Sequence, residues 1–150
     1  MLVASKQFEL EQVLKYRAEI ERTRKQEFVV AKQNLEYASE RLSRDEALLE
    51  GISKEFHTRQ GELNSIEDLR MYSDFFVRKR EEIKDQKERV DLLGHVVSDR
   101  REFLLDAAKD KKVLESLKDK KAKEFRMAMD KKEQEFMDEI AIQKKEEPSQ

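Results

Sequence analysis

The chain has 150 residues, of which 44% are charged and 37% are hydrophobic, so it carries more charge than an ordinary globular domain of this length. Its 32 basic residues nearly balance its 34 acidic residues, and the net charge of −2 gives no general reason to bind nucleic acid or anionic lipid. Three glycines, one proline and no cysteine exclude a disulfide framework and favour long solvated helices.

The amino-terminal segment, Met-Leu-Val-Ala-Ser-Lys, has no apolar secretory core. The longest unbroken apolar runs in the chain, such as Phe28–Ala31, have four residues, far short of the roughly 20 that a membrane-spanning helix needs. We therefore expect a cytoplasmic protein without direct membrane insertion.

Apolar residues in the first half of the chain recur at alternating steps of three and four residues. This first series is apolar at eight of nine positions, with one aspartate. Its members are Phe28, Ala31, Leu35, Ala38, Leu42, Asp45, Leu49, Ile52 and Phe56. A sustained spacing of about 3.5 residues is typical of a coiled coil, so we predict a first helix over about 5–58. Before Phe28 the apolar register drifts, which predicts a looser helix there.

The least helix-like stretch runs from Thr58 to Ser65 and contains Gly61 and Asn64. It is the best turn candidate in the chain, and we predict a turn over about 59–65. Ser65 followed by Asp68 resembles a capping box that opens a second helix, with Asp in place of the usual Glu. An uninterrupted helix through these residues is the alternative.

A second series with the same spacing runs through the second half of the chain. Ten of its 14 positions are apolar. They are Leu69, Tyr72, Phe76, Lys79, Ile83, Gln86, Val90, Leu93, Val97, Arg100, Leu104, Ala107, Lys111 and Leu114. The only proline, Pro148, lies near the end of the chain, so we predict a second helix over about 66–145.

Two helices joined by a turn near residue 62 should fold back antiparallel. This arrangement pairs Leu42 with Ile83, Leu35 with Val90, Phe28 with Val97 and Ile52 with Tyr72. It also sets Asp45 against Lys79, two charged positions of opposite sign. We predict that these two form a polar layer that fixes the register; the alternative is that both side chains extend into water.

The same pairing leaves the stretch from Lys121 to Lys145 without a helix opposite it. This overhang carries an apolar stripe, which consists of Phe125, Met129, Phe136 and Ile140. An isolated amphipathic helix gains stability from a partner, so we interpret the stripe as a docking surface. Self-association and packing of the amino terminus on the stripe are alternatives. The predicted fold is all-α: one domain over 1–150, in which two long helices form an antiparallel coiled-coil hairpin with a C-terminal helical overhang.

Apolar residues beside the predicted seam indicate a second surface. Leu48, Tyr72 and Phe75 should form one patch near the turn, and exposed large apolar groups often mark contact sites. The alternative is that Leu48 and Phe75 merely cover the flank of the seam.

Catalytic chemistry has no support in the sequence. His57 and His95 have no carboxylate or cysteine at metal-ligand spacing, and the chain has no glycine-rich phosphate loop. We therefore predict a non-enzymatic protein without catalytic, metal or cofactor sites. The stretch Lys109–Lys123 leans basic, but a solvated helix face explains it better than a nucleic-acid site.

Three motifs resemble landmarks of a known family. They are FELEQVLKYR over residues 8–17, YSDFF over residues 72–76 with Ile83 beyond it, and KKEQEFMDEIA over residues 131–141. Together they resemble FliJ, the small coiled-coil protein of the bacterial flagellar export apparatus, over the whole chain.

The resemblance implies a protein shaped like the central stalk of rotary ATPases, at the inner membrane of the flagellar base. It implies three partners: the hexameric flagellar export ATPase, the cytoplasmic part of the export gate membrane protein, and export chaperones. By match to the middle motif, Tyr72 and Phe75 are candidates for the gate contact, with Leu48 beside them. The overhang residues Phe125, Met129, Phe136 and Ile140 would suit the ATPase ring. Alternatives are the stalk protein of a virulence type III secretion system and a coiled-coil chaperone or scaffold with no ATPase partner.

Overall fold

A computed structural model of the chain describes residues 8–62 and 65–146. Helix α1 spans Glu11–Arg59 and helix α2 spans Ile66–Glu146, and these residues contain no strand. The two long helices pack against each other, which confirms the predicted all-α coiled-coil hairpin. The predicted helical start near residue 5, Asn64 of the predicted turn and Pro148 lie outside the described residues.

The chain divides into two compact units, and the first comprises Thr23–Leu105. In this unit every position of the first series is buried or partly buried, including Asp45. The positions of the second series in this unit are also buried or partly buried, except Leu69, which is 41% exposed at the start of α2. Ala31, Ala38 and Ile83 are the most buried residues of this seam. The spacing of about 3.5 residues therefore identifies the face along which the helices meet.

Hydrogen bonds at the ends of the helices define the turn. The Glu62 amide donates to the Arg59 carbonyl at 2.9 Å, which closes the carboxyl end of α1. Ser65 Oγ accepts a hydrogen bond from the Glu67 amide at 3.2 Å, so Ser65 is the N-cap of α2, as predicted. In the described part of the chain, no hydrogen bond from Asp68 to Ser65 completes the capping box.

Aromatic rings beside the turn show how the register differs from the predicted pairs. The Phe56 ring lies 5.2 Å from that of Tyr72 and 5.8 Å from that of Phe76. Phe56 thus packs against Tyr72 one helical turn further along α1 than Ile52, the residue that the sequence paired with Tyr72. The helices are offset because the fold-back depends on turn geometry, which apolar periodicity does not specify.

The second compact unit comprises Met1–Arg22 together with Asp106–Gln150. Ala107 and Leu114 of α2 are buried here, but charged residues of α1 lie along the seam. Glu21 pairs with Lys111 at 2.8 Å and Glu11 pairs with Lys118 at 2.8 Å. Before Phe28 the steps of three and four residues lead through partly buried residues of which three are charged and one is apolar: Arg24, Glu21, Arg17 and Leu14.

The apolar residues before Phe28 are divided between exposed and partly buried positions. Of the four residues that indicated the drift, Leu10 and Val13 are each 40% exposed, whereas Leu14 and Ile20 are partly buried. Arg17 is also partly buried, and its guanidinium donates a hydrogen bond to the Asp110 carbonyl at 2.9 Å. A guanidinium with a long apolar stem can cover a seam and still bind a polar group.

No helix of the described residues is long and apolar enough to cross a membrane.

Candidate interaction surfaces

The predicted patch near the turn is built around an aromatic cluster of Phe56, Tyr72, Phe75 and Phe76. Tyr72 lies 6.3 Å from Phe76, and Phe75 meets the edge of Phe76 at 6.0 Å. The Tyr72 hydroxyl accepts a long hydrogen bond of 3.4 Å from the Arg59 guanidinium. Both Tyr72 and Phe75 are only partly buried, so this cluster forms the seam and also presents aromatic surface to water.

Leu48 is 46% exposed. Leu48 immediately precedes the seam residue Leu49, just as Phe75 immediately precedes the seam residue Phe76. The two residues therefore occupy the same position of the heptad. In an antiparallel pair these positions share one flank of the seam. The structure thus brings Tyr72 and Phe75 together around Phe76, and it leaves Leu48 as an exposed apolar residue of the same unit. Their role as a contact site stays a prediction.

The predicted polar layer forms, and it has a third member. Lys79 Nζ lies 3.2 Å from Asp45 Oδ1, and both side chains are less than 20% exposed. Gln86 Nε2 donates a hydrogen bond of 2.6 Å to Asp45 Oδ2. The sequence did not identify Gln86 as a partner, although it occupies the next equivalent seam position after Lys79. Asp45 therefore lies opposite the interval between the two residues of α2.

These contacts shift the pKa values of Asp45 and Lys79. The hydrogen bond from Gln86, assisted by Lys79, holds the pKa of Asp45 below its ordinary value of 3.8, against an opposing effect of desolvation. Hydrogen bonds to Glu82, at 3.1 Å, and to Asp45 raise the pKa of Lys79. Both side chains are therefore charged at neutral pH, and each has charged or polar partners within the layer.

An open groove of about 400 Å³ runs beside the seam of the same unit. Tyr37, Arg41 and Arg89 line it above a floor of Ala38 and Leu93. In the described part of the chain neither guanidinium has an ion-pair partner, unlike many charged residues of this protein. Apolar spacing gave no indication of this groove; the available signal was Arg41 on the seam flank, seven residues before Leu48.

The predicted C-terminal stripe lies along one face of the last part of α2, with charged residues between Met129 and Phe136. Phe136 is 62% exposed, whereas Phe125, Met129 and Ile140 are partly buried. Cross-helix ion pairs to α1 extend no further along α2 than Lys118 in the residues that the structure describes. Further exposed apolar side chains lie on other faces of this segment and were missed: Met127, Met137 and Ile142.

The histidines and acidic residues form no cluster with metal-binding geometry within 8–62 and 65–146. His57 and His95 are both exposed, and the His57 ring lies 6.2 Å from Phe56. The features that stand out are therefore apolar and aromatic surfaces together with the polar layer.

Comparison with known families gives a match that covers nearly the whole chain. The model of the family described as "Flagellar FliJ protein" matches residues 5–146. Comparisons with curated proteins and with solved structures give no match. The family match agrees with the three motifs and with the paired helices. The chain therefore belongs to the FliJ family and is a flagellar export-related protein.

Proposed function

We propose that this protein is a non-enzymatic, stalk-like component of the flagellar export apparatus that binds the export ATPase ring and the export gate. The observation that carries the proposal is the presence of a separate apolar surface in each compact unit of a helical hairpin. One surface is the stripe of Phe125, Met129, Phe136 and Ile140. The other is the aromatic cluster near the turn with Leu48. A protein that links two partners needs two such surfaces.

The stripe suits a contact with the ATPase ring. A single amphipathic helix offers a different surface to each of six similar subunits, because it has no sixfold symmetry. Subunits that bind the helix differently would have different nucleotide affinities, since binding and conformation are thermodynamically coupled. The helix therefore needs no chemistry of its own to influence nucleotide turnover in the ring.

The aromatic cluster suits a contact with the cytoplasmic part of the gate protein. Tyr72 and Phe75 present partly exposed rings that are held in place by Phe56 and Phe76. Rigid aromatic side chains bury a large area and lose little rotamer entropy on binding, so they often dominate interfaces. Leu48 would extend this contact on the same flank. Export chaperones are the third proposed partner class, on the basis of family membership alone.

The ring contact is tested by a matched pair of substitutions on α2. Phe136→Ala removes an exposed stripe residue, and Met137→Ala removes its neighbour, which is equally exposed at 64% but faces another direction. We expect Phe136→Ala to weaken binding of the purified export ATPase by roughly tenfold or more, as truncation of a central aromatic contact does. Met137→Ala should leave the affinity unchanged. Equal affinities for the two variants would refute the ring contact at this stripe.

The gate contact is tested in the same way near the turn. Phe75→Ala should weaken binding to the cytoplasmic part of the gate protein, whereas Val77→Ala, at a 63% exposed position, should not. Because Phe75 also packs on Phe76, thermal unfolding of each variant must be measured in parallel. A Phe75→Ala variant that is folded and binds the gate with unchanged affinity would rule out the proposed site.

A further inference from the structure

The C-terminal stripe has an internal symmetry that its proposed ring contact does not require. Phe125 and Ile140 are equally distant from the point between Lys132 and Glu133, and so are Met129 and Phe136. An antiparallel helix pair related by a twofold axis brings each residue near its counterpart on the other side of that point. Two copies of this stripe would thus place Phe125 near Ile140 and Met129 near Phe136 in register.

The charges around the stripe reverse at the same point. Residues 121–132 contain five basic and two acidic side chains, a net charge of +3. Residues 133–146 contain two basic and five acidic side chains, a net charge of −3. In an antiparallel pair the basic half of each copy would lie beside the acidic half of the other copy. In a parallel pair the two basic halves would lie side by side, and so would the two acidic halves.

The stripe also continues a seam that is already used for helix pairing. Leu114 is buried against α1, and steps of three and four residues lead from it to Phe125. The segment 121–146 is helical throughout, so the four side chains of the stripe share one face. A second helix bound there would extend the geometry of the intramolecular pair.

We propose that a second copy of this chain binds the stripe, antiparallel and centred between Lys132 and Glu133. The proposal goes beyond the export function, and it has a consequence for it. A chain in this dimer has its stripe covered, so the dimer and the ATPase complex would exclude each other. Self-association would then protect the apolar stripe before assembly.

The existence of the dimer is tested on the purified full-length chain, without ATPase, by sedimentation equilibrium over a range of concentrations. We expect reversible dimerisation that Phe136→Glu weakens at least tenfold, because the glutamate would be desolvated in the interface. Met137→Glu is the matched control and should dimerise nearly as well as the unaltered chain. A monomer at all concentrations, or equal weakening by both substitutions, would overturn the proposal.

The orientation is tested by disulfide trapping, since the chain has no cysteine of its own. Ala122→Cys and Gln143→Cys place thiols at opposite ends of the stripe, at equal distances from its centre. In a mixture of the two variants we expect the 122–143 disulfide to form first. Preferential formation of 122–122 and 143–143 disulfides would show a parallel pair and reject the proposed interface. Because no ATPase is present, this outcome would not bear on the ring contact.

Discussion

A single aspartate shows how charge is accommodated in a narrow seam. Asp45 interrupts an apolar series, and a lone carboxylate at such a position would lose hydration without compensation. Gln86 donates a hydrogen bond to one carboxylate oxygen, and Lys79 forms an ion pair with the other. Because Asp45 lies opposite the interval between them, a slip of the helices in either direction would remove one of the two contacts. The layer therefore favours one register over its neighbours.

The acid stability of the protein should depend on this residue. The pKa of Asp45 is lowered from 3.8 in the folded chain, so its stabilising contribution is fully present above about pH 4 and is lost as the pH falls through the folded-state pKa. We expect Asp45→Asn to lower the free energy of unfolding at pH 7, and we expect the difference from the unaltered chain to shrink below pH 4. Urea unfolding between pH 2.5 and 7 measures this.

An exposed aspartate provides the control for that experiment. Asp99 is exposed and makes no ion pair with the described residues. Asp99→Asn should therefore leave the pH dependence of stability nearly unchanged. A pH-independent difference between Asp45→Asn and the unaltered chain would contradict the role assigned to the layer.

Along the helices, the seam changes its chemistry from one compact unit to the other. Between Thr23 and Leu105 it is mainly apolar, and its stability comes from burial. In the other unit α1 contributes Glu11 and Glu21, which pair with lysines of α2. The Glu21 contact raises the pKa of Lys111, as an ion pair with a partly buried lysine should.

The two parts of α1 should therefore respond differently to salt. At about 1 M salt the Debye length falls to about 3 Å, so exposed and partly exposed ion pairs are strongly screened. We expect amide hydrogen exchange in Glu11–Arg22 to accelerate more than exchange between Ala31 and Ile52 when sodium chloride is raised. Glu21→Gln should reduce this difference, because it removes one of the screened pairs. An equal response of both segments would contradict the ionic character of the seam.

For the molecule as a whole, the sequence predicted the two helices, the turn and the apolar seam, because these follow from periodicity and local capping. The Asp45–Lys79 contact followed from the same pairing.

The charged seam around Glu21 was missed because a search for apolar spacing passes over charged residues that cover a seam with their stems. Gln86 was missed because the final offset of the helices depends on the turn. The sequence indicated the stripe, but the exposed side chains of Met127, Met137 and Ile142 were missed because they follow no seam spacing.

The hairpin should form within one chain. Glu36→Cys and Asp91→Cys introduce labels at exposed positions next to the seam of one compact unit. Since packed helices lie about 10 Å apart, we expect a distance within about 20 Å between spin labels at these sites. A tenfold excess of unlabelled chain should not change it. A distance that disappears on such dilution would show that the helices are exchanged between two chains.

In the described residues, no large side chain is completely enclosed; even Ala31 and Leu114 retain 6% of their surface in contact with solvent. Truncation of a seam side chain would therefore leave a surface depression that water can enter, rather than an enclosed empty cavity. Leu114→Ala should then cost about 2–3 kcal/mol, near the lower end of the range for buried leucines, because the penalty for a dry void is absent. Such a protein tolerates single truncations, since its stability is distributed over many partly exposed contacts along the helices.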